Sequence, residues 1–338
     1  MKFLKTLQYL LLSWTLEAAT PEKPEPTKKG KQFDFAVGGQ AVIEGVMMRS
    51  PNHITVAVRK PKGNIIVQEK FYQTMTQKHK WLNVPIVRGV VNLFEMMIIG
   101  TNAINYSANE SIEEEEVANR KKKTWEKILD PILFAISFVL AMAISLFLFK
   151  FIPLWITTFS QRYFSIIADN YIVFNIIDGI LKTLIFVSYI FLLSLIPSFR
   201  RIFEYHGAEH KSIYTYESNL PLTPENATKQ TRFHPRCGTS FIVIVFVISI
   251  LVYTFVPKQD TFLTNLLTRV AFLPLIAGIS YEYLKLSAKY AKNTFVKALV
   301  APGLLFQKLT TKEPDLKQLE VGLKSLQTAL DRENVSSV

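Results

Sequence analysis

His206, Glu209 and His210, in the run YHGAEHK over residues 205–211, are the side chains best suited to chemistry in this sequence. They spell HxxEH, the inverted form of the zinc-protease helix signature. Positions four apart lie one above the other on a helix, so the imidazoles of His206 and His210 can converge on one cation. Glu209 borders the same face. There its carboxylate suits a general base toward a metal-bound water, whose pKa a zinc ion lowers to about 7. The competing reading is a surface helix with two unrelated histidines, and Gly207 argues for it, because glycine weakens a helix by about 1 kcal/mol. The neighbours argue against it. Ile202, His206, His210, Ile213 and Glu217 follow one helical stripe, partly apolar, that turns the histidines inward.

A catalytic zinc takes three protein ligands and keeps one open position, so the histidine pair needs a further donor. His234 and Cys237, in the run HPRCG over 234–238, are two candidates. Pro235 and Gly238 make that run a turn that can fold back over the HxxEH helix. Glu282, in a later apolar segment, is a third, since a carboxylate there needs a partner. Glu217 is a fourth, and spacing does not choose among them. Zinc is the divalent metal that best suits the set, although imidazole and carboxylate also suit iron or manganese. His53 and His79 have no such neighbours and read as ordinary surface or core histidines.

The elements that must position these residues include long apolar runs. Of the 338 residues 49% are hydrophobic, and the mean hydropathy is +0.20. Residues 132–156 and 172–196 are long enough to cross a bilayer, which takes about 20 apolar residues. Residues 240–256 are marginal but uncharged. Residues 262–284 are interrupted by Arg269, leaving a usable core at 270–286. Lys and Arg concentrate before the first span, in the loop between the second and third, and after the last. The positive-inside rule therefore predicts a multi-pass protein of the inner, cytoplasmic membrane, with both termini and the HxxEH loop in the cytoplasm. The lipid bilayer is thus the expected partner. The net charge of +12 needs no nucleic acid to explain it, because aromatic and basic residues do not interleave as single-strand grooves require. One cysteine rules out an internal disulfide framework.

The fold class these patterns predict is α+β: a polytopic α-helical membrane protein with a small β-rich cytoplasmic N-terminal module. Residues 1–32 read as an uncleaved interfacial helix and a disordered Pro/Lys/Glu linker. Residues 33–84 form the β-rich module. In it, strand-like 54–58 and 65–71 flank the turn chemistry of 61–64, a hairpin, and paired Gly38 and Gly39 suggest a tight structural bend. Residues 85–131 hold an amphipathic helix and a charged linker, with acids at 113–116 and bases at 120–123. Arg88, Asn92, Glu95 and Asn102 give that helix a polar stripe, so it lies in the interface or lines a protein cavity. Residues 132–286 form the membrane domain of about four spans, including the loop 198–239. Residues 287–338 end in an amphipathic helix, Leu316, Leu319, Leu323 and Leu326, able to dock on the β module or a partner.

GGQAVIEGVMMR over 38–49, HGAEHK over 206–211 and HPRCGTS over 234–240 together resemble the YqhQ-like bacterial membrane proteins, a family of unknown function described as predicted metal-dependent enzymes. Pro85, Arg88-Gly89, Asn105-Tyr106-Ser107, residues 277–282 and Thr310-Thr311-Lys312-Glu313-Pro314 also look like that family, and the likeness runs from about residue 35 to about 325. It implies a shared site drawn from Glu44, Arg49, His206, Glu209, His210, His234, Cys237, Glu282 and Glu313, and Lys312 stands where arginine is expected.

The leading expectation is a membrane-embedded metal-dependent hydrolase. His206 and His210 bind the metal, Glu209 activates water, and the substrate is a membrane peptide or lipid headgroup at the cytoplasmic face. The alternatives are a non-catalytic membrane protein with a structural or sensory metal site, a scaffold, or a transport-related protein. Transport is disfavoured because only Asp178, Lys182 and Arg269 are clear charges within the spans.

Overall fold

A computed structural model describes residues 37–112, 126–257, 259–290 and 293–336. The expected N-terminal helix and linker and the charge block of 113–123 lie outside the described residues. The architecture is α+β, mostly helical, with one small antiparallel sheet near the N-terminus.

The sheet is a meander of β1 (Gly38–Val42), β2 (Gly45–Arg49), β3 (His53–Arg59) and β4 (Ile65–Phe71) in sequential order. The hairpin expected from strand alternation is β3 and β4, with Ile54 opposite Lys70 and Val58 opposite Ile66. The glycine-bearing run 38–49 forms two strands rather than a single bend, with both glycines inside β1. The turn falls at Ile43-Glu44, where Glu44 takes φ of 50° and its carbonyl accepts from the Arg59 amide at 2.9 Å.

Both faces of the sheet are covered, which explains why β2 and β3 are apolar almost throughout. Val46, Met48 and Ala57 pack against Val321, Leu326, Ala329 and Leu330 of the C-terminal helix and against Tyr205 and Ile213 of the HxxEH helix. Met47, Val56 and Val58 point the other way, onto Ile99 and Ala103. The amphipathic tail thus docks on the β module of its own chain. Thr55 Oγ1 donates to the Ser325 carbonyl at 2.9 Å, and Ser50 Oγ donates to Glu333 at 2.7 Å.

In chain order the helices are α1 (Met75–Lys78), α2 (Val87–Glu110), α3 (Glu126–Leu146), α4 (Ile152–Ser160), α5 (Ser165–Asp169), α6 (Tyr171–Leu195), α7 (Pro197–Glu217), α8 (Pro224–Thr228), α9 (Gly238–Thr254), α10 (Phe262–Ala271), α11 (Leu273–Lys289), α12 (Thr294–Thr310) and α13 (Leu316–Ser336). A π segment, Phe147–Phe151, joins α3 to α4. Among the described residues four stretches are long and apolar enough to cross a membrane: Val87–Glu110, Ala135–Ser160, Tyr171–Leu195 and Phe262–Ser287. The count matches the sequence expectation but the membership does not. Helix α9, expected as the third span, has 17 residues, short of the roughly 20 a bilayer needs, while α2 qualifies.

The polar stripe of α2 has a physical explanation. Arg88 pairs with Glu282, Asn92 Nδ2 donates to Tyr281 Oη at 2.8 Å, and buried Glu95 accepts from Tyr72 Oη and the Met75 amide, both at 2.6 Å. That edge faces protein, with Asn102 the exposed exception, and the apolar edge of Phe94, Met97 and Ile98 is left exposed. Within the helical bundle Arg269 reaches Asp178 Oδ2 at 2.7 Å and Asn175 Oδ1 at 2.5 Å, so a charge that weakened the sequence signal is neutralised inside.

Leu326 of α13 is fully buried against the sheet and α7. Leu326→Ala should cost about 2–5 kcal/mol, read as a lower midpoint in thermal unfolding of the detergent-purified protein.

Candidate metal centre

Helix α7 starts where α6 is forced to stop. Ile196 is extended, with ψ of 124°, and Pro197 follows in the first turn, a residue that disfavours helix before itself and starts one well. The α7 face carrying Glu209, His210 and Ile213 is then buried to 4%, 1% and 2% exposure.

Two close approaches hold that face. The segment after α12 crosses α7 over Gly207, where a Cβ would lie 2.1 Å from the Lys312 carbonyl oxygen. The Lys312 amide donates to the Phe203 carbonyl at 2.8 Å. A backbone lying on the helix surface is why the motif contains its weakest helix former. Lys312 acts here through its main chain, which leaves little consequence for the lysine that replaces the expected arginine. On the other side β1 lies against Glu209: a Cβ on Gly39 would sit 2.7 Å from Glu209 Cγ, and the Gly39 amide donates to the Glu209 carboxylate.

Backbone carbonyls orient both imidazoles. His206 Nδ1 lies 2.8 Å from the Thr310 oxygen, and His210 Nδ1 contacts the Arg232 oxygen. A carbonyl only accepts, so each Nδ1 carries the proton and each neutral ring presents a bare Nε2. Both Nε2 atoms turn toward Cys237. His206 Nε2 is 3.2 Å from Cys237 Sγ, and the three donor atoms of His206, His210 and Cys237 lie within 4.8 Å of one another. Around a tetrahedral zinc, nitrogen and sulfur ligands stand about 3.5 Å apart, so the three donors are near the spacing of a shared ion. His210 Nε2 is moreover a buried polar atom with no hydrogen-bond partner. Glu209 Oε2 lies 3.4 Å from it and 3.9 Å from His206 Nε2. That proximity is not an ion pair, because the carbonyl partner leaves His210 Nε2 without a proton. Burial pushes the Glu209 carboxyl upward and the His210 imidazole downward.

The other expected donors are placed differently. His234 is buried, but its Nδ1 accepts from the Arg236 amide at 3.3 Å and its Nε2 faces Glu217 Oε2 at 3.4 Å. Both ring nitrogens are engaged, and burial pulls its pKa down to about 4. It packs beside His210 at 5.6 Å between centroids rather than joining the donor cluster. Glu217 also pairs with Arg236. Glu282 is held by the Arg88 guanidinium through both oxygens, away from the cluster. Among the described residues, then, Cys237 is the donor that stands with the two histidines, and His234 and Glu282 are not. The expected turn is the reason: the Cys237 amide donates to the His234 carbonyl at 3.2 Å, and Cys237 caps α9 with Sγ turned back to α7.

Of the further residues implied by the likeness, Glu44 accepts from Arg201 and Tyr205, pinning the β1–β2 turn to α7, and Glu313 pairs with Lys211 and Arg232. Gln307 escaped the sequence reading. Its Oε1 accepts from the His234 amide at 2.8 Å and its Nε2 donates to the His234 carbonyl at 2.7 Å, clamping the HPRC turn from α12. A lone glutamine in the apolar run of α12 was the available signal.

The cluster lies on a cavity of about 1130 Å³ bounded by β1, α2, α7, α9 and α11, with Glu209, His206, His210 and Cys237 on its wall. A β module carried on helices apolar enough for a membrane, clamped around a His-His-Cys cluster, defines the class. Residues 84–332 match the model of a family described as a protein of unknown function (DUF1385), and the chain belongs to that family. It is also 35% identical over 308 residues to the uncharacterized protein YqhQ of Bacillus subtilis (strain 168), covering 89% of this chain and 94% of that one. No solved structure matches.

Gly207→Ala should lower stability by about 1–3 kcal/mol through the clash with the Lys312 carbonyl, read in a thermal melt. An unchanged melting midpoint would show that the crossing segment does not bear on α7.

Proposed function

We propose that this protein is a metal-dependent hydrolase of the cytoplasmic membrane, acting on a membrane-borne substrate at the cytoplasmic face. The observation that carries the reading is the pair of imidazoles whose Nδ1 protons are bound by backbone carbonyls and whose bare Nε2 atoms converge with Cys237 beside buried Glu209. Backbone acceptors behind imidazoles are the usual support of metal-ligating histidines. Metal binding also accounts for the orphaned His210 Nε2.

His206, His210 and Cys237 would hold the ion, zinc being the best match to two nitrogens and a sulfur. When bound, it supplies Lewis acidity toward a substrate or water oxygen. Three donors facing a large cavity fit a site with an open position better than a closed structural one. Glu209 Oε2, a few ångströms from both Nε2 atoms, is placed to accept a proton and return it to a leaving group. Its burial makes it more basic than an exposed carboxylate, which suits it to accept a proton. The bias of Lys and Arg supports the cytoplasmic assignment. The helices that end at the cluster support a substrate that arrives within or along the bilayer.

Metal analysis of the detergent-purified protein, paired with complementation of a deletion strain, tests the reading. His206→Ala/His210→Ala should lose a divalent metal that the parent retains. Glu209→Gln should keep the metal and lose complementation. Full complementation by Glu209→Gln removes the catalytic role and favours a structural or sensory site. Unchanged metal content in the double variant removes the site.

A further inference from the structure

The cavity beside the cluster has an unbalanced wall. Its cations are Arg49, Lys80, Arg88, Arg236 and Lys285, and Glu209 is its one acid among the described residues. Arg88 and Arg236 are answered by Glu282 and Glu217, and Lys285 lies near Glu282. Arg49 is different. Half-buried on β2, its guanidinium contacts Met96 Sδ at 2.7 Å and lies 5.8 Å from the centre of the Tyr72 ring, with no carboxylate in ion-pair range among the described residues. Nearby Glu95 is engaged by Tyr72 and Met75. A guanidinium whose forked donors meet only a thioether, with its plane over a tyrosine ring, keeps hydrogen-bonding capacity to spare, and two oxygens of one phosphate or carboxylate are what its fork fits.

The strand opposite makes room for one. Arg49 pairs across the sheet with Gly38, one residue before the Gly39 that donates to Glu209. Gly38 does not take a left-handed conformation, and a Cβ placed on it meets nothing within 4 Å. Neither backbone nor packing therefore calls for a glycine there, and glycine weakens a strand. Gly38 and Arg49 share the sheet face turned toward α2, Gly39 turns the other way onto Glu209, and all three line the same cavity at the edge of the sheet. Apolar side chains share that wall with neutral polar ones such as Gln77, Asn83 and Asn92: Leu93 and Met96 come from α2, Phe203 from α7, Phe241 from α9 and Leu284 from α11. Trp81, 73% exposed, follows Lys80 at the cavity wall, a tryptophan and lysine pair suited to a bilayer surface.

We propose that this cavity binds an anionic phospholipid, its phosphate held by Arg49 across Gly38 and its chains against the apolar part of the wall. This deepens the proposed function by naming the substrate class, and it rests on that reading only for what becomes of the headgroup. Apolar side chains and bare cation together select a lipid over a free anion, and the charge excess selects an anionic over a zwitterionic headgroup.

Calorimetric titration of the full-length protein in detergent tests the assignment, using dihexanoyl phosphatidylglycerol, dihexanoyl phosphatidylcholine and inorganic phosphate as probes. The phosphatidylglycerol should bind about tenfold or more tighter than either other probe, the scale of one charge-assisted contact. Arg49→Gln should abolish that preference and Arg49→Lys should restore part of it, while Gly38→Val should weaken the lipid at an unchanged melting temperature. Equal binding of the two lipids, or an unaltered preference in Arg49→Gln, overturns the proposal. Inorganic phosphate binding as tightly as the lipid overturns the lipid source, and full affinity in Gly38→Val overturns the placement. A preference that survives in metal-free His206→Ala/His210→Ala supports this site independently of the metal centre. A preference lost there but kept in Arg49→Gln assigns the anion to the metal and overturns the role of Arg49.

Discussion

The structure turns on the burial of a polar helix face. Glu209, His210 and Lys211 are consecutive on α7 and each is at most 4% exposed, a costly arrangement unless every one of their polar atoms is answered. The answers come from segments far apart in sequence. β1 supplies the Gly39 amide, the loop before α9 supplies the Arg232 carbonyl, α8 supplies the Thr228 carbonyl to Lys211 at 2.9 Å, and the segment after α12 supplies Glu313. Each segment thus has a polar reason to meet α7 in addition to its apolar one. The one atom left unanswered, His210 Nε2, is the one that faces the donor cluster.

This convergence ties the sheet to the helices. The β1–β2 turn is fixed to α7 through Glu44 and Arg201, and α13 seals the outer side of both. The sheet does not form an independent module: one face rests on α7 and α13 and the other on α2. The cavity is what remains where this assembly meets α2, α9 and α11, and both the sheet and the helices give it polar and apolar side chains. A second polar interior, Arg269 with Asp178 and Asn175, is closed on itself within the helices. That closure distinguishes it from the site, where donor atoms are aimed at open space.

Much of the local architecture was legible because it depends on period and punctuation. The β3–β4 hairpin followed from alternation around a turn, the C-terminal helix from leucines at helical spacing, and the inward turn of His206 and His210 from one stripe. The run 38–49 was misread as a bend because paired glycines signal a turn more often than a close approach. Gly39 and Gly207 are instead the places where β1 and the segment after α12 lie on α7, and an approach between distant segments leaves no local trace beyond the glycine itself. The short apolar α9 and the mixed polarity of α2 are likewise why the stretches long enough to span differ from those expected from the sequence. The stripe on α2 is explained by Tyr72, Tyr281 and Glu282, none of which is near it in sequence.

What the sequence by itself determined is the donor pair and its immediate supports: histidines four apart on a helix, a glutamate on their face, and a turn carrying a cysteine. These follow from helical geometry and from the backbone limits of proline and glycine, which act over a few residues. The placing of Cys237 rather than His234 or Glu282 beside the two histidines, the carbonyl partners of both Nδ1 atoms, and the exposure of Arg49 to the cavity were decided by tertiary structure alone. Each depends on which atom of a distant segment comes within about 3 Å of a side chain, and a hydrogen bond resolves distances that no pattern of residue types encodes.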